Sequence, residues 1–256
     1  MLAQRQHQQP SLLETVSGLR WQPGRDTLVA VASYILLVGL LYTAFQLITT
    51  ERVAANFITY GPVGLALAGI GIPVFYTTRL RGRSLDEVGI TSRHLLPSLA
   101  LGLILGYDTY RHTLGTLGLT WERSLVPLVT MSLAVGLFEA VFFRGWLQLR
   151  FEDAFGTVPG LLLGALCYSL YHVGYGMETT EMVALFFFGL TFGAMFRLTK
   201  NVFVLWPFYT PIGGLYSTAS DGLTMPFEAT YGFLITLAMM VAIIAAGRTT
   251  ARRREL

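Results

Sequence analysis

Charge is what this 256-residue chain lacks most. Asp, Glu, Lys and Arg make up 13% of it, about half the roughly 25% usual in soluble domains. Hydrophobic residues reach 53%, and the mean hydropathy is +0.56. Together these values exclude an ordinary soluble domain and a disordered chain. Cys167 is the single cysteine, so a disulfide framework is excluded as well. The net charge of +3 is too small to point to nucleic acid, and none is expected as a partner. Histidine is scarce, and none follows His172. No internal repeat, low-complexity tract or long linker divides the chain. What remains is an all-α, polytopic transmembrane helical bundle, with the lipid bilayer as its first partner.

A spanning helix needs about 20 mostly apolar residues. Eight stretches qualify: 27–49, 57–78, 95–113, 125–149, 157–176, 182–199, 201–219 and 229–247. The third is weakened by Asp108, Arg111 and His112, which read as an ion-pair cluster at the outer edge. The seventh is weakened by Pro207 and Pro211. With eight spans and the N-terminus inside, 15 basic residues fall in inner segments. Only Arg52, Arg111 and Arg123 fall in outer loops. That asymmetry supports the span number and predicts cytoplasmic N- and C-termini; the expected location is the plasma (inner) membrane, as a multi-pass protein. Residues 1–26 lack the pattern of a cleaved signal peptide. Ser11 and Glu14 could cap an amphipathic helix through Leu12, Leu13, Val16, Leu19 and Trp21, lying on the membrane surface; a loose tail is the alternative. The chain thus divides into this N-terminal segment, a transmembrane domain over 27–247 and a basic tail over 248–256.

Small residues four apart (Gly102 and Gly106, Gly160 and Gly164, Gly189 and Gly193) predict close helix packing. Glu139 sits deep in an apolar run, where a charged carboxylate costs at least several kcal/mol by contested estimates. It should face the bundle, find a partner or be protonated. His172 is the natural partner: with a turn near Asp153 to Thr157, the two are equidistant from the tip of an antiparallel hairpin, about 25 Å away at 1.5 Å per residue. Ser132, Gly136, Glu139 and Phe143 form one stripe, and Gly160, Gly164, Tyr168 and His172 another. A pair that merely fixes helix register is the plain structural alternative. Arg144, five residues on, projects from a different side of an α-helix. It either anchors the inner end of its span, bonds a neighbouring helix end, or snorkels to the interface. Cys167 reads as a small packing residue, and Leu185 to Gly189 as lipid-facing or packing aromatics.

Glu139-x-x-x-Phe143-Arg144-Gly145 followed by Tyr168-x-x-x-His172 resembles the first two motifs of the CAAX protease and bacteriocin-processing (Abi) family of intramembrane endopeptidases. Those motifs run Glu-Glu-x-x-Phe-Arg-Gly and Phe-x-x-x-His. The basic stretch from Arg79 to Arg93 with Ser-Leu-Asp-Glu-Val-Gly-Ile fits too, and the resemblance spans about 62–217. It implies that Glu139 activates a water as general base while His172 holds or polarises it. Three departures stand out. Ala140 replaces the second Glu; Tyr168 replaces the Phe; and the third motif, His-x-x-x-Asn or Asp, is missing. Aligned on Asn201, its positions hold Tyr209 and Gly213; aligned on Trp206-Pro207, they hold Ile212 and Tyr216. Tyr209 alone could donate one hydrogen bond to an oxyanion.

Three functions compete. The first is a silent relative serving as a binding or scaffold subunit beside a membrane-protein partner, its cavity holding a lipid, a pigment or a partner helix. The second is an endopeptidase acting on a peptide substrate through Glu139, His172, Arg144 and Tyr209. The third is a small proton-coupled transporter, which the absence of repeat symmetry disfavours. Losing an oxyanion donor costs about 100- to 1,000-fold in rate, which tips the balance to the silent relative. No cofactor is expected beyond such a lipid or pigment. Catalytic zinc wants three protein ligands, and here only Glu139 and His172, with Tyr209 as an unusual third, are on offer.

Overall fold

The computed structural model describes residues 19–118, 122–175 and 177–255. The described residues form helices and turns throughout. Eight helices carry the architecture: α1 (Arg25–Thr49), α2 (Val53–Leu80), α3 (Leu95–His112), α4 (Arg123–Phe155), α5 (Thr157–Leu170), α6 (Thr179–Thr199), α7 (Tyr209–Ser220) and α8 (Ala229–Glu255). Each coincides with one of the eight apolar stretches. Five are long and apolar enough to cross a membrane: α1, α2, α4, α6 and α8. The α5 segment is shorter, and α3 and α7 do not reach that standard among the described residues. The seventh stretch is broken as its prolines foretold. Val202–Val204 forms a 3₁₀ turn, the Trp206–Pro207 peptide is cis, and α-helix begins only at Tyr209.

The central helix is α4. Its apolar window is 67% buried, against 28% for α1 and 22% for α6 and α8, whose outer faces are exposed. Phe138, Phe142, Phe143, Trp146 and Leu147 are all enclosed. Glycines set how closely the neighbours approach. A Cβ on Gly102 would meet the Val204 carbonyl oxygen at 2.6 Å, one on Gly160 the Glu152 nitrogen at 2.4 Å, and one on Gly193 the Leu161 side chain at 2.4 Å. The small-residue pairs therefore do what lipid-embedded packing asks of them.

The ends of the bundle sort by charge. Asp26 reaches Arg81 at 3.3 Å and Arg83 at 3.5 Å, Arg150 reaches Asp153 at 3.2 Å, and Glu152 holds Lys200 at 3.1 Å and Arg197 at 3.4 Å. Burial lowers the pKa of Lys200, against the pull of Glu152. Four segments that the charge count places on one side thus meet physically at one end. A Cβ on Gly247 near the end of α8 would touch Val74 and Thr78, so both ends of the described chain lie there too. At the opposite end, Arg123 stands 4.0 Å from the Phe227 ring centre. His112 and Asp108 pair loosely there at 3.5 Å, both largely exposed. The proposed N-terminal surface helix falls mostly on residues 1–18, outside the described residues. Its last members are not helical: Leu19 to Gly24 run as an irregular strap, with Arg20 and Gln22 donating backbone hydrogen bonds to Phe155 and Ala154. Trp21 stacks near Phe155, with ring centres 5.1 Å apart.

Asn201 locks the start of α3 to the end of α6. Its Nδ2 donates to the carbonyls of Thr91 at 3.1 Å and Arg93 at 2.8 Å, and its Oδ1 accepts from the Phe203 N–H at 3.0 Å. The side chain is fully buried. Asn201→Ala is expected to destabilise the fold by about 2–4 kcal/mol, because several buried partners lose their bonds at once. Urea unfolding in mild detergent against wild type reads this directly, and a change under 1 kcal/mol contradicts it.

Candidate active site

The hairpin of α4 and α5 turns at Gly156, whose φ of 98° suits glycine. Gly160 packs on Glu152, Gly164 on Gln148, and the ring of Tyr168 lies 4.8 Å from the Arg144 guanidinium carbon. Each pair is equidistant from the turn, so the register expected from the sequence holds that far. Beyond it, α4 changes pitch. From Ala140 to Gln148 the backbone is π-helical, hydrogen-bonded five residues apart. Residues 139 and 144, about 140° apart on an α-helix, are thereby returned to one face.

That pitch change decides what Glu139 meets. Stepping back from Arg144 by five residues on α4 reaches Glu139, while stepping on by three on α5 reaches Tyr171. The Tyr171 hydroxyl donates to the Glu139 carboxylate, and the Tyr168 hydroxyl also approaches it. His172 is one position too far. No hydrogen bond or ion pair within 4.0 Å joins it to Glu139, so the direct acid–imidazole pair expected from the sequence is not formed. After Leu170 the chain tightens to a 3₁₀ turn, Tyr171–Tyr175. The imidazole Nδ1 folds back to the Tyr168 carbonyl at 2.9 Å. Its ring packs on Tyr171, centres 3.9 Å apart, so the tyrosine bridges acid and histidine. Both side chains face inward and are buried.

Arg144 does not snorkel. It is 1% exposed and lies among Glu139, Tyr168 and Tyr171, with both terminal nitrogens lacking a hydrogen-bond partner within the protein. Its placement on a different side, which α-helical spacing predicts, is corrected by the π segment. Tyr209 opens α7 and is not brought to the acid. Its ring meets Phe192 at 5.0 Å, and Phe192 in turn meets Tyr168 at 6.1 Å. The outer half of the α4 stripe also turns elsewhere: a Cβ on Gly136 would meet Pro211 and Thr210 of α7, and Gly214 lies against Ser132.

Sequence reasoning missed Tyr60, Tyr171 and Tyr175. Tyr60 and Tyr175 meet edge to face beside the carboxylate, with ring centres 6.5 Å apart. The recurrence of tyrosine at 168, 171 and 175, three and four apart, was the available signal for the last two. Among the described residues no group of three or more His, Cys, Asp or Glu is close enough to hold a metal ion.

The order Glu139, Phe143-Arg144-Gly145, Tyr168 and His172, gathered at the core of one hairpin, is the arrangement a family comparison can test. Residues 121–210 match the Rce1-like family, type II CAAX prenyl endopeptidases. The match supports the resemblance carried by the motifs, covers about a third of the chain, and includes Glu139, Arg144, His172 and Tyr209. No curated protein and no solved structure matches the chain. With five membrane-length apolar helices, this is an integral membrane protein with a CAAX-protease-like segment.

Proposed function

We propose that this Rce1-like protein is a silent relative: its embedded site binds a partner helix or lipid and does not hydrolyse peptides. One observation carries the reading. One oxygen of the Glu139 carboxylate accepts from the Tyr171 hydroxyl, and the His172 Nδ1 is bonded to the Tyr168 carbonyl one turn back. A general base must reach the proton it removes, within about 2.6–3.2 Å or through one water. Here a tyrosine fills that reach on the side where the histidine should stand. Ala140 supplies no second carboxylate, and Tyr209 meets Phe192 instead of the acid. The same proposal gives the protein a plasma-membrane address, with the charge asymmetry setting only its orientation there.

The test is purification in native-like lipid, comparing wild type with Glu139→Gln. A stoichiometric partner that co-purifies equally with both supports a scaffold. Cleavage of a prenylated or unmodified peptide by wild type, lost at least 100-fold in the variant, overturns it in favour of the endopeptidase. The family match itself is the observation that keeps hydrolysis as the second reading. Proton-coupled uptake that disappears with Glu139→Gln would replace both.

A further inference from the structure

At the charged end of the bundle, away from Glu139, a pocket of about 270 Å³ opens between the first turn of α1, the end of α2 and the end of α4. Arg25, Arg81, Arg83 and Arg150 line it, with Asp26 and Asp153. Even with Glu87 counted, which holds Arg83 at 3.0 Å, one positive charge is left over. Arg25 is exposed and pairs with no carboxylate among the described residues. Arg150 is the built element. Its side chain is only 6% exposed. It is braced by Asp153 at 3.2 Å, the Glu87 carbonyl at 3.1 Å and the Trp146 ring at 5.3 Å, yet its Nε is buried without a partner. The first turn of α1 adds backbone N–H groups that have no partner within the helix, and among the described residues nothing lies within 4 Å of a Cβ on Gly24.

The surroundings say where an occupant's remainder would lie. Leu28, one turn beyond Gly24 on α1, and Leu80, next to Arg81, are exposed at 71% and 58%, and Trp21, next to Gln22 of the lining, is exposed too. Apolar surface thus begins where the arginines end, with a tryptophan at the level typical of the interface. The volume is slightly below the roughly 300 Å³ at which small-molecule sites begin, so it suits a head group whose tails remain outside.

We propose that this pocket binds a phosphate-bearing anion, and that its source is the head group of an anionic phospholipid. Guanidinium groups suit phosphate oxygens through paired N–H donors, and basic pockets between spanning helices are where such head groups are held. Asp26 competes with the ligand, since it engages Arg81 and Arg83 in the structure.

The full-length protein in bilayer discs of equal phosphatidylglycerol and phosphatidylcholine, read by native mass spectrometry, tests this. Wild type should retain phosphatidylglycerol about tenfold over phosphatidylcholine. Arg81→Gln with Arg83→Gln, both at half-exposed positions, should weaken that retention about 30-fold. Asp26→Asn should raise it about fivefold, by releasing the two guanidinium groups. Equal retention of both lipids, or retention unmoved by the double variant, overturns the proposal. Thermal stabilisation by millimolar inorganic phosphate in wild type alone, without lipid preference, overturns the lipid source and reassigns the pocket to a soluble anion.

Discussion

Gly145→Leu is expected to abolish folding of this protein, and Gly145→Ala to destabilise it by about 3 kcal/mol, at the upper end of ordinary overpacking. A Cβ at this position would lie 2.1 Å from the Val88 carbonyl oxygen and 3.0 Å from its carbonyl carbon. The obstacle is backbone, so no rotamer change relieves it. Val88 and Ile90 are themselves buried, and Arg150 bonds the Glu87 carbonyl beside them, so the segment cannot withdraw freely. Gly160→Ala meets the Glu152 backbone in the same way and should cost a similar amount. Gly39→Ala is the control: nothing lies within 4 Å of its Cβ, and the helix gains about 0.5–1 kcal/mol from the better former. Chemical unfolding in lipid-like detergent ranks the three. Equal stability of the Gly145 and Gly39 variants would mean that the Val88 segment does not pack as described.

The contrast between these glycines shows what a sequence carries and what it leaves out. Spacing by four marked Gly102, Gly106, Gly160, Gly164, Gly189 and Gly193 as contact residues, because helix periodicity is a local property. Gly145 lacked a partner at that spacing and was legible only as part of a motif. Its need for zero side chain comes from Val88, 57 positions earlier, brought there by the fold. The eight helices were legible for the same local reason, and the hairpin register was too, as far as Arg144 and Tyr168. The π-helical stretch was not. Whether a backbone bonds four or five residues apart depends on what its neighbours wedge against it, and here Phe138, Phe142, Phe143 and Trp146 are packed on every side. That single difference exchanged His172 for Tyr171 at the carboxylate and turned Arg144 inward. Tyr209 stands against Phe192 and not beside the acid, because the chain enters α7 through a turn at Pro207, a consequence for position that the residue's own chemistry could not announce.

Arg144 offers the other large effect, because volume and charge pull apart there. Arg144→Ala should destabilise by about 3–5 kcal/mol, as expected for truncating a large enclosed side chain and removing a buried charge that its surroundings accommodate. Arg144→Met keeps most of the volume. It loses the cation above the Tyr168 ring, about 2 kcal/mol when desolvated, and the attraction of Glu139. It gains relief for two enclosed terminal nitrogens that lack hydrogen-bond partners within the protein, about 1–3 kcal/mol each. These terms nearly cancel, so Met is expected within about 2 kcal/mol of wild type, in line with apolar replacement of buried ionic groups. The pair with Glu139 is isolated by a double-mutant cycle. In the Glu139→Gln background, Arg144→Met should be more favourable than in wild type by about 1–3 kcal/mol, the usual coupling of neighbours within one network. Additivity within 0.5 kcal/mol would show that carboxylate and guanidinium do not sense each other. The tyrosine cluster, and not the charge pair, would then be what keeps Glu139 inside the bundle.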